Sequence, residues 1–358
     1  MRKRIRTILV IILVIFFIIA VPFIILYAKG YSFDFKNKKI VLTGGIFLNS
    51  FPKKADVYIN NKYTKKRTPC LIKRLIPQEY FIEVKKQGFH SWKKYIKVKP
   101  NLVREAKNII LIPEKLNPEI VKSLSPEFSL NEFLYPNIYQ LSIKLKENFS
   151  TTTLGYLISN DYILYIKKID RILYKIKLDD FGKNELSEQI NISPLPESEY
   201  KIYASSKNIA VLDKNGTLYI FDKSNRKFNA LVKNAKGMEF SQDDEKLLYF
   251  TDSEIWIYYL KDSSDFPFLK KGEKQLITRL SKKIEKVIWH PSNYHIIFKV
   301  NGNLKITELD SDYPRNTINL FSNVKDFSYN KSDKKLYFIK DNTLFRIKLN
   351  KSTFPISF

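Results

Sequence analysis

The chain has 358 residues, with 62 Lys and Arg against 36 Asp and Glu, a net charge of +26, and 14% aromatic residues. A single cysteine, Cys70, excludes an internal disulfide framework, and ten glycines with no Gly-rich loop leave no phosphate cradle. The length allows two domains beyond a targeting or anchoring segment.

Residues Ile8 to Ala28 form an uncharged run of Ile, Val, Leu and Phe, interrupted only by Pro22. At 1.5 Å per residue such a helix is about 31 Å long, enough to cross a bilayer core. Arg2, Lys3, Arg4 and Arg6 precede it, which predicts a cytoplasmic N-terminus under the positive-inside rule. A cleaved signal peptide needs a shorter apolar region and a small-residue cleavage site, and Leu26-Tyr27-Ala28-Lys29-Gly30 is a poor one. The expectation is an uncleaved anchor (1–29) in the cell membrane, with the bulk of the chain outside the cytoplasm.

From Lys29 to Lys115 there are 21 basic and 6 acidic residues, whereas Leu116 to Phe358 has 37 against 30. The segment nearest the membrane is thus the basic one. It also alternates with period two: Val57 and Ile59 against Asp56 and Tyr58, then Trp92, Lys94, Ile96 and Val98 against Lys93, Tyr95, Lys97 and Lys99. That pattern predicts sheets with one face in a core and one in water. Asn60-Asn61 and Gly88 supply turns, because both residue types tolerate positive φ. Cys70 reads as a small buried hydrophobe.

The run Pro52-Lys53-Lys54-Ala55-Asp56-Val57-Tyr58-Ile59-Asn60-Asn61 resembles the opening motif of the PEGA domain. Thr68-Pro69, Leu75-Ile76-Pro77-Gln78-Glu79-Tyr80 and Gly88-Phe89 with Trp92 match its later landmarks. Lys53-Lys54 departs from the family's usual Glu-Gly, so the turn has to be built without a glycine. The resemblance implies a small β-sandwich over 30–115, of the kind used as stalk or adaptor in surface proteins, with no catalytic role.

Asn117 to Ser150, with Pro118, Pro126 and Pro136, resists assignment and could hold a further blade or a closing strand. Beyond it a hairpin recurs. Phe240 to Phe250 aligns with Trp289 to Lys299 and with Tyr329 to Ile339; each copy turns into a second strand at Ile255-Trp256-Ile257, Leu304-Lys305-Ile306 and Leu344-Phe345-Arg346. Less complete copies begin at Ile163 and Ile209. The spacing is that of propeller blades, and the turns resemble WD-type repeats of exported propellers. A five- or six-bladed propeller is expected over 116–358, giving a mainly β protein overall.

The three histidines, His90, His290 and His295, lack zinc spacing, and His290 and His295 read as surface-turn residues. Asp213-Lys214-Asn215-Gly216-Thr217 lacks the ligands of a calcium loop and reads as a hairpin turn. No nucleophile elbow is present. No catalytic, metal or cofactor site is therefore expected.

The strongest positive signal is a basic surface. Lys62, Lys65, Lys66 and Arg67 crowd one hairpin loop, and Lys93, Lys97 and Lys99 share an outward strand face with Tyr95. Either these are solvated faces of a lysine-rich protein, or they meet a polyanion such as anionic lipid or wall polymer. Interleaved aromatics and lysines would also suit single-stranded nucleic acid, which an exported location makes the minor expectation. The leading expectation is a non-enzymatic envelope protein whose propeller binds a protein or glycan; the alternative is a propeller hydrolase or lyase with its site in the central channel.

Overall fold

In the computed structural model, residues 2–125, 128–159, 161–180 and 187–349 are described, apart from the side chains of residues 2–4, 147, 148 and 150. The side chains of Arg2, Lys3 and Arg4, together with Pro126 and the last residues of the expected propeller span, lie outside that description. The chain divides into two units. Among the described residues, one comprises the chain up to Lys115 together with Ser311–Asn316; the other comprises Leu116–Asp310 and residues 317–349.

The first unit begins with helix α1 (Arg2–Ala28), which continues through Pro22. Its stretch Ile5–Ala28 is unburied, and by length and composition it is a candidate membrane anchor or signal. The helix ends where Gly30 takes a φ of +87° and donates its N–H to the Tyr27 carbonyl at 3.1 Å. A short antiparallel hairpin follows, β1 (Tyr31–Asp34) and β2 (Lys39–Leu42).

Seven strands then make the sandwich: β3 (Gly44–Phe51), β4 (Asp56–Ile59), β5 (Lys62–Arg67), β6 (Cys70–Leu75), β7 (Glu79–Lys85), β8 (Trp92–Lys97) and β9 (Val103–Ile110). They form a four-stranded sheet, β5-β4-β7-β8, and a three-stranded sheet, β6-β3-β9, in which β3 and β9 run parallel. The alternating residues point as the period predicts: Val57, Ile82, Val84, Trp92 and Ile96 are buried between the sheets with Leu48. Each such burial stabilises the fold by about 1.5–3 kcal/mol. Cys70 packs part-buried against this core, and burial pushes its thiol pKa up. The two-residue turn Asn60-Asn61 has φ values of 47° and 63°, as a tight hairpin requires. At the site of the missing family glycine, Lys54 itself takes a φ of 62°.

The second unit is a propeller with five four-stranded antiparallel blades among the described residues. Before the first blade lie β10 (Glu119–Ser123), α2 (Leu130–Leu134) and α3 (Pro136–Ser150). Blade one is β11 (Thr153–Ile158), β12 (Tyr162–Lys167), β13 (Leu173–Lys177) and β14 (Glu188–Gln189). Blade two is β15 (Tyr200–Ala204), β16 (Ile209–Asp213), β17 (Leu218–Asp222) and β18 (Lys227–Val232). Blade three is β19 (Gly237–Phe240), β20 (Lys246–Phe250), β21 (Glu254–Tyr259) and β22 (Lys274–Arg279). Blade four is β23 (Ile284–Trp289), β24 (His295–Val300), β25 (Asn303–Glu308) and β26 (Thr317–Phe321). Blade five takes β27 (Val324–Asn330), β28 (Lys335–Lys340) and β29 (Thr343–Lys348), and its outer strand is β10.

Adjacent blades bury one another's apolar faces. Leu212 and Leu218 of blade two pack with Phe240 and Tyr249 of blade three, and Ile257 of blade three packs with Trp289 and Ile296 of blade four. The segment before blade one is not a sixth blade. It supplies the closing strand and then a helix pair: α2 packs Leu130 and Leu134 on Tyr337 and Leu344 of blade five, while α3 packs Leu145 and Phe149 on Ile158 and Ile163 of blade one. The two helices also touch each other, so they cover the faces of blades five and one that a sixth blade would have covered.

Candidate functional site

The expected cationic residues lie on the two edges of one sheet, since β5 and β8 end the order β5-β4-β7-β8. Lys62, Lys65, Lys66 and Arg67 are exposed, but they form strand β5 rather than a loop. Nor do they share a face. Arg67 lies opposite Asp56 and Lys62 opposite Ile59, positions of opposite parity on β4. Arg67 is committed to Asp56 at 2.7 Å, and that hydrogen bond holds the Asp56 carboxyl below its usual range. Lys66 donates to the Leu71 carbonyl at 2.7 Å.

On β8, Lys93 and Lys97 are exposed, and exposed Lys99 lies two residues past the strand's end. Lys93 reaches Glu83 at 3.3 Å, and Lys85 reaches the same carboxylate at 2.9 Å. Burial opposes ionisation of Glu83, but the hydrogen bonds from these two lysines prevail and its pKa is lowered. The outward face is therefore mixed in charge. Lys62, Lys65, Lys97 and Lys99 are exposed cations of the sheet's two edges, and none of them is ion-paired with a carboxylate among the described residues.

The edge strand β8 has a feature that spacing alone did not predict. The peptide Ser311–Asn316, supplied from the connection between β25 and β26, pairs along it. The Tyr95 N–H donates to the Tyr313 carbonyl at 2.7 Å, and Asn316 exchanges side-chain hydrogen bonds with both backbone groups of Lys93. The Tyr95 and Tyr313 rings stack at 6.4 Å. Lys94 follows the alternation into the interior, is fully buried, and donates to the Asp312 carbonyl at 2.6 Å. Arg104 on β9 pairs with the Asp312 carboxylate at 2.8 Å. Since β8 and β9 are each the last strand of their sheet, this peptide caps one open side of the sandwich. Lysine at an inward position was the available signal.

In the propeller, the polar groups that could do chemistry are occupied in holding turns and strands. Glu239 on β19 accepts from the Trp289 backbone N–H at 2.9 Å; burial raises its pKa, and that hydrogen bond works against the rise. Asp326 on β27 pairs with Lys286 on β23 at 2.9 Å. Asp213 accepts from the Thr217 N–H at 2.7 Å, closing its hairpin around Gly216 as a turn rather than an ion loop.

The surface-turn reading of two histidines is corrected: His290 and His295 are buried, 2% and 6% exposed. Their turn folds inward because Ser292 links them, its hydroxyl lying 3.0 Å from His290 Nδ1 and 3.3 Å from His295 Nδ1. Burial depresses the His290 pKa to about 3. The same hydroxyl accepts from the Tyr294 N–H, so this Ser-His group is a turn-building device. Among the described residues no cluster of three or more His, Cys, Asp or Glu is arranged to hold a metal.

A cleft of about 590 Å³ opens beside blade one, where α3 ends and β11 and β12 begin. Phe149, Tyr165, Lys167 and Lys168 line it with Thr151, Thr152 and Thr153, and the Thr153 hydroxyl donates to the Phe149 carbonyl at 2.7 Å. Phe149 stacks on Tyr156 at 5.0 Å, and Tyr165 on Tyr174 at 5.9 Å, so the aromatic floor is held rigidly. Lys167 Nζ lies 4.0 Å from the Tyr174 ring centre. Tyr174 donates to Asp170 at 2.7 Å, which pushes its pKa up to about 12. The sequence hid this cleft because α3 falls in the segment that showed no repeat.

The PEGA domain family matches residues 43–108, the span from the end of the β1–β2 hairpin to β9. The chain thus carries a PEGA domain followed by a β-propeller. No curated protein matches the sequence. Among solved structures it is similar to the extracellular domain of the hybrid two-component system BT4673 of B. thetaiotaomicron, at 11% identity over 56% of this chain and 28% of that one, with a TM-score of 0.40. It is also similar to the Cps50 (Swd1) β-propeller domain of Myceliophthora thermophila, at 11% identity over 52% and 66%, TM-score 0.36. A third is the C-terminal WD40 domain of Sif2, at 10% identity over 55% and 57%, TM-score 0.37. The matches to BT4673 and Cps50 span less than two thirds of those chains.

Proposed function

We propose that this is a membrane-anchored protein of the cell envelope that works by binding: α1 tethers it, the basic PEGA domain is the stalk, and the propeller displays a recognition cleft. The N-terminus is cytoplasmic and the two β units stand outside. The ligand at the propeller is an acidic glycan. One observation carries that choice. The described cleft beside blade one is lined by two aromatic rings, three threonines and two lysines, which suits the apolar faces, hydroxyls and carboxylates of an acidic sugar.

The test is calorimetric titration of the full chain in detergent with an oligogalacturonate probe. Binding that is lost in Lys167→Glu/Lys168→Glu and weakened in Tyr165→Ala supports the reading. Binding unaffected by all three substitutions, or no binding at low salt, removes the cleft from the account.

The basic sheet is a second, electrostatic contact, for anionic lipid or wall polymer. It rests on the exposed Lys62, Lys65, Lys97 and Lys99.

A further inference from the structure

The hairpin β1–β2 stands where the membrane helix meets the sandwich, and its composition does not suit water. Phe33, Phe35 and Ile40 are exposed, Phe35 to 82%, and the Phe33 and Phe35 rings meet edge to face at 5.0 Å. Lys36, Lys38 and Lys39 occupy its turn and the start of its second strand. An exposed aromatic pair beside three lysines, on an element of only two strands, has no partner within the sandwich core.

The hairpin is nevertheless held in a defined place. Thr43, the residue before β3, donates both its N–H (2.9 Å) and its hydroxyl (2.7 Å) to the Gly30 carbonyl. The hairpin is therefore an excursion whose two ends are clipped together at the exit of the helix. Its turn is built by Asp34, whose carboxylate accepts from the backbone N–H of Lys36 and Asn37 and from the Asn37 amide. The Asn37 side chain is the main reason that the Asp34 pKa is lowered.

The hairpin also leans back along α1. A groove of about 530 Å³ is lined on one side by Phe23, Leu26 and Tyr27, and on the other by Phe33, Phe35 and Ile40. Phe23 lies five residues before the helix end, about 7.5 Å along the axis at 1.5 Å per residue. The uncharged run Ile8–Ala28 is about 31 Å long, the thickness of a bilayer core of about 30 Å, so its C-terminal end reaches the boundary of that core. The last turns of α1 thus belong at the headgroup boundary, the depth of about 5–10 Å at which interfacial elements lie. Tyr27 is a residue type of that zone, and the Arg74 guanidinium covers its ring at 3.3 Å.

We infer that β1–β2 is a membrane foot: Phe33, Phe35 and Ile40 insert at the headgroup–acyl boundary of the leaflet from which α1 emerges, while Lys36, Lys38 and Lys39 engage the phosphates of anionic lipids. The foot fixes the tilt of the sandwich on the bilayer, which a single helix with a glycine at its exit does not. Lysines close to an anionic surface contribute to binding and lose that contribution beyond a Debye length. The inference rests on the reading of α1 as an anchor.

The test uses the full chain with Cys70 replaced by Ala and one spin-labelled cysteine at a time: I15C in α1, F35C in the foot and K282C on the propeller. Each variant is reconstituted into vesicles of phosphatidylglycerol and phosphatidylcholine in equal parts. Collision with oxygen should exceed collision with a nickel chelate at positions 15 and 35, and the order should reverse at 282. Position 35 behaving like 282 while 15 remains lipid-like overturns the foot and leaves the anchor standing. Position 15 behaving like 282 overturns the anchor, and the foot with it. In K36E/K38E/K39E, position 35 should become shallower on these vesicles and not on pure phosphatidylcholine; no change on the anionic vesicles overturns the role of the lysines.

Discussion

Ile120 lies opposite Phe345 in antiparallel register, so β10, from the start of the propeller, completes the blade formed by its end. Phe345 in turn stacks on Phe338 at 5.3 Å, and Phe338 on Phe321 of blade four at 4.2 Å. The closure therefore runs through apolar packing as well as strand hydrogen bonds.

Phe338→Ala should lower stability by about 3–5 kcal/mol, the usual cost of deleting a buried aromatic. The exposed pair Arg346–Glu119, at 2.7 Å across the same strands, should contribute no more than about 1 kcal/mol, so Arg346→Ala should be mild. Denaturant unfolding of the full chain checks both; equal losses would mean that the ion pair holds the seam as strongly as the aromatic stack.

Lys54 carries a left-handed backbone at the position of the family's glycine. Side chains there cost about 1–2 kcal/mol, and glycine returns part of the gain as lost chain entropy. Lys54→Gly should stabilise the PEGA domain by about 0.5–1 kcal/mol, read as a rise in unfolding midpoint. A destabilised variant would show that the lysine side chain makes a compensating contact.

His290 makes stability depend on pH. Unfolded, the ring takes up a proton near its ordinary value of 6.5; buried, it does so only near pH 3. Its contribution is complete above pH 6.5 and is lost as pH falls toward 3, at about 1.4 kcal/mol per unit while only the unfolded state is protonated. Between pH 6.5 and 5, the stability of His290→Asn should fall less steeply than that of the parent by roughly that slope. Parallel curves would mean that the parent histidine is already charged when folded.

Among the basic residues, the ones without a carboxylate partner should matter most. Charge reversal at Lys62, Lys65, Lys97 and Lys99 should abolish salt-sensitive association of the full chain with anionic wall polymer. Reversal of Arg67 or Lys93, already paired with Asp56 and Glu83, should cost the fold its ion pair and the association little. Sedimentation with the polymer at low and high salt separates the two groups.

The sequence announced what is periodic. Leu247 and Tyr249, Ile296 and Phe298, and Leu336 and Phe338 are buried on equivalent strands of successive blades, and Trp256 stacks on Tyr249 at 6.4 Å. Asn60-Asn61 and Asp213 to Thr217 are the turns their composition implied. What remained hidden depends on distant partners. The closing strand β10 is largely exposed and so lacks an alternating pattern. Lys94 shows its inward parity in the sequence, but the Asp312 carbonyl that makes its burial tolerable lies far along the chain. His290 and His295 read as surface residues because polar turns are usually wet; here Ser292 turns them inward. The scatter of β5 lysines over two faces follows from the register with β4, which composition does not reveal.

The account stands or falls on where α1 leaves the two β units. Protease applied to intact cells, followed by mass spectrometry of the membrane fraction, reads this directly. The account predicts a membrane-retained fragment that still contains Ile8 to Ala28, with the propeller digested from outside. A soluble protein beginning after Tyr27, or a propeller that resists protease until the cells are opened, would contradict it.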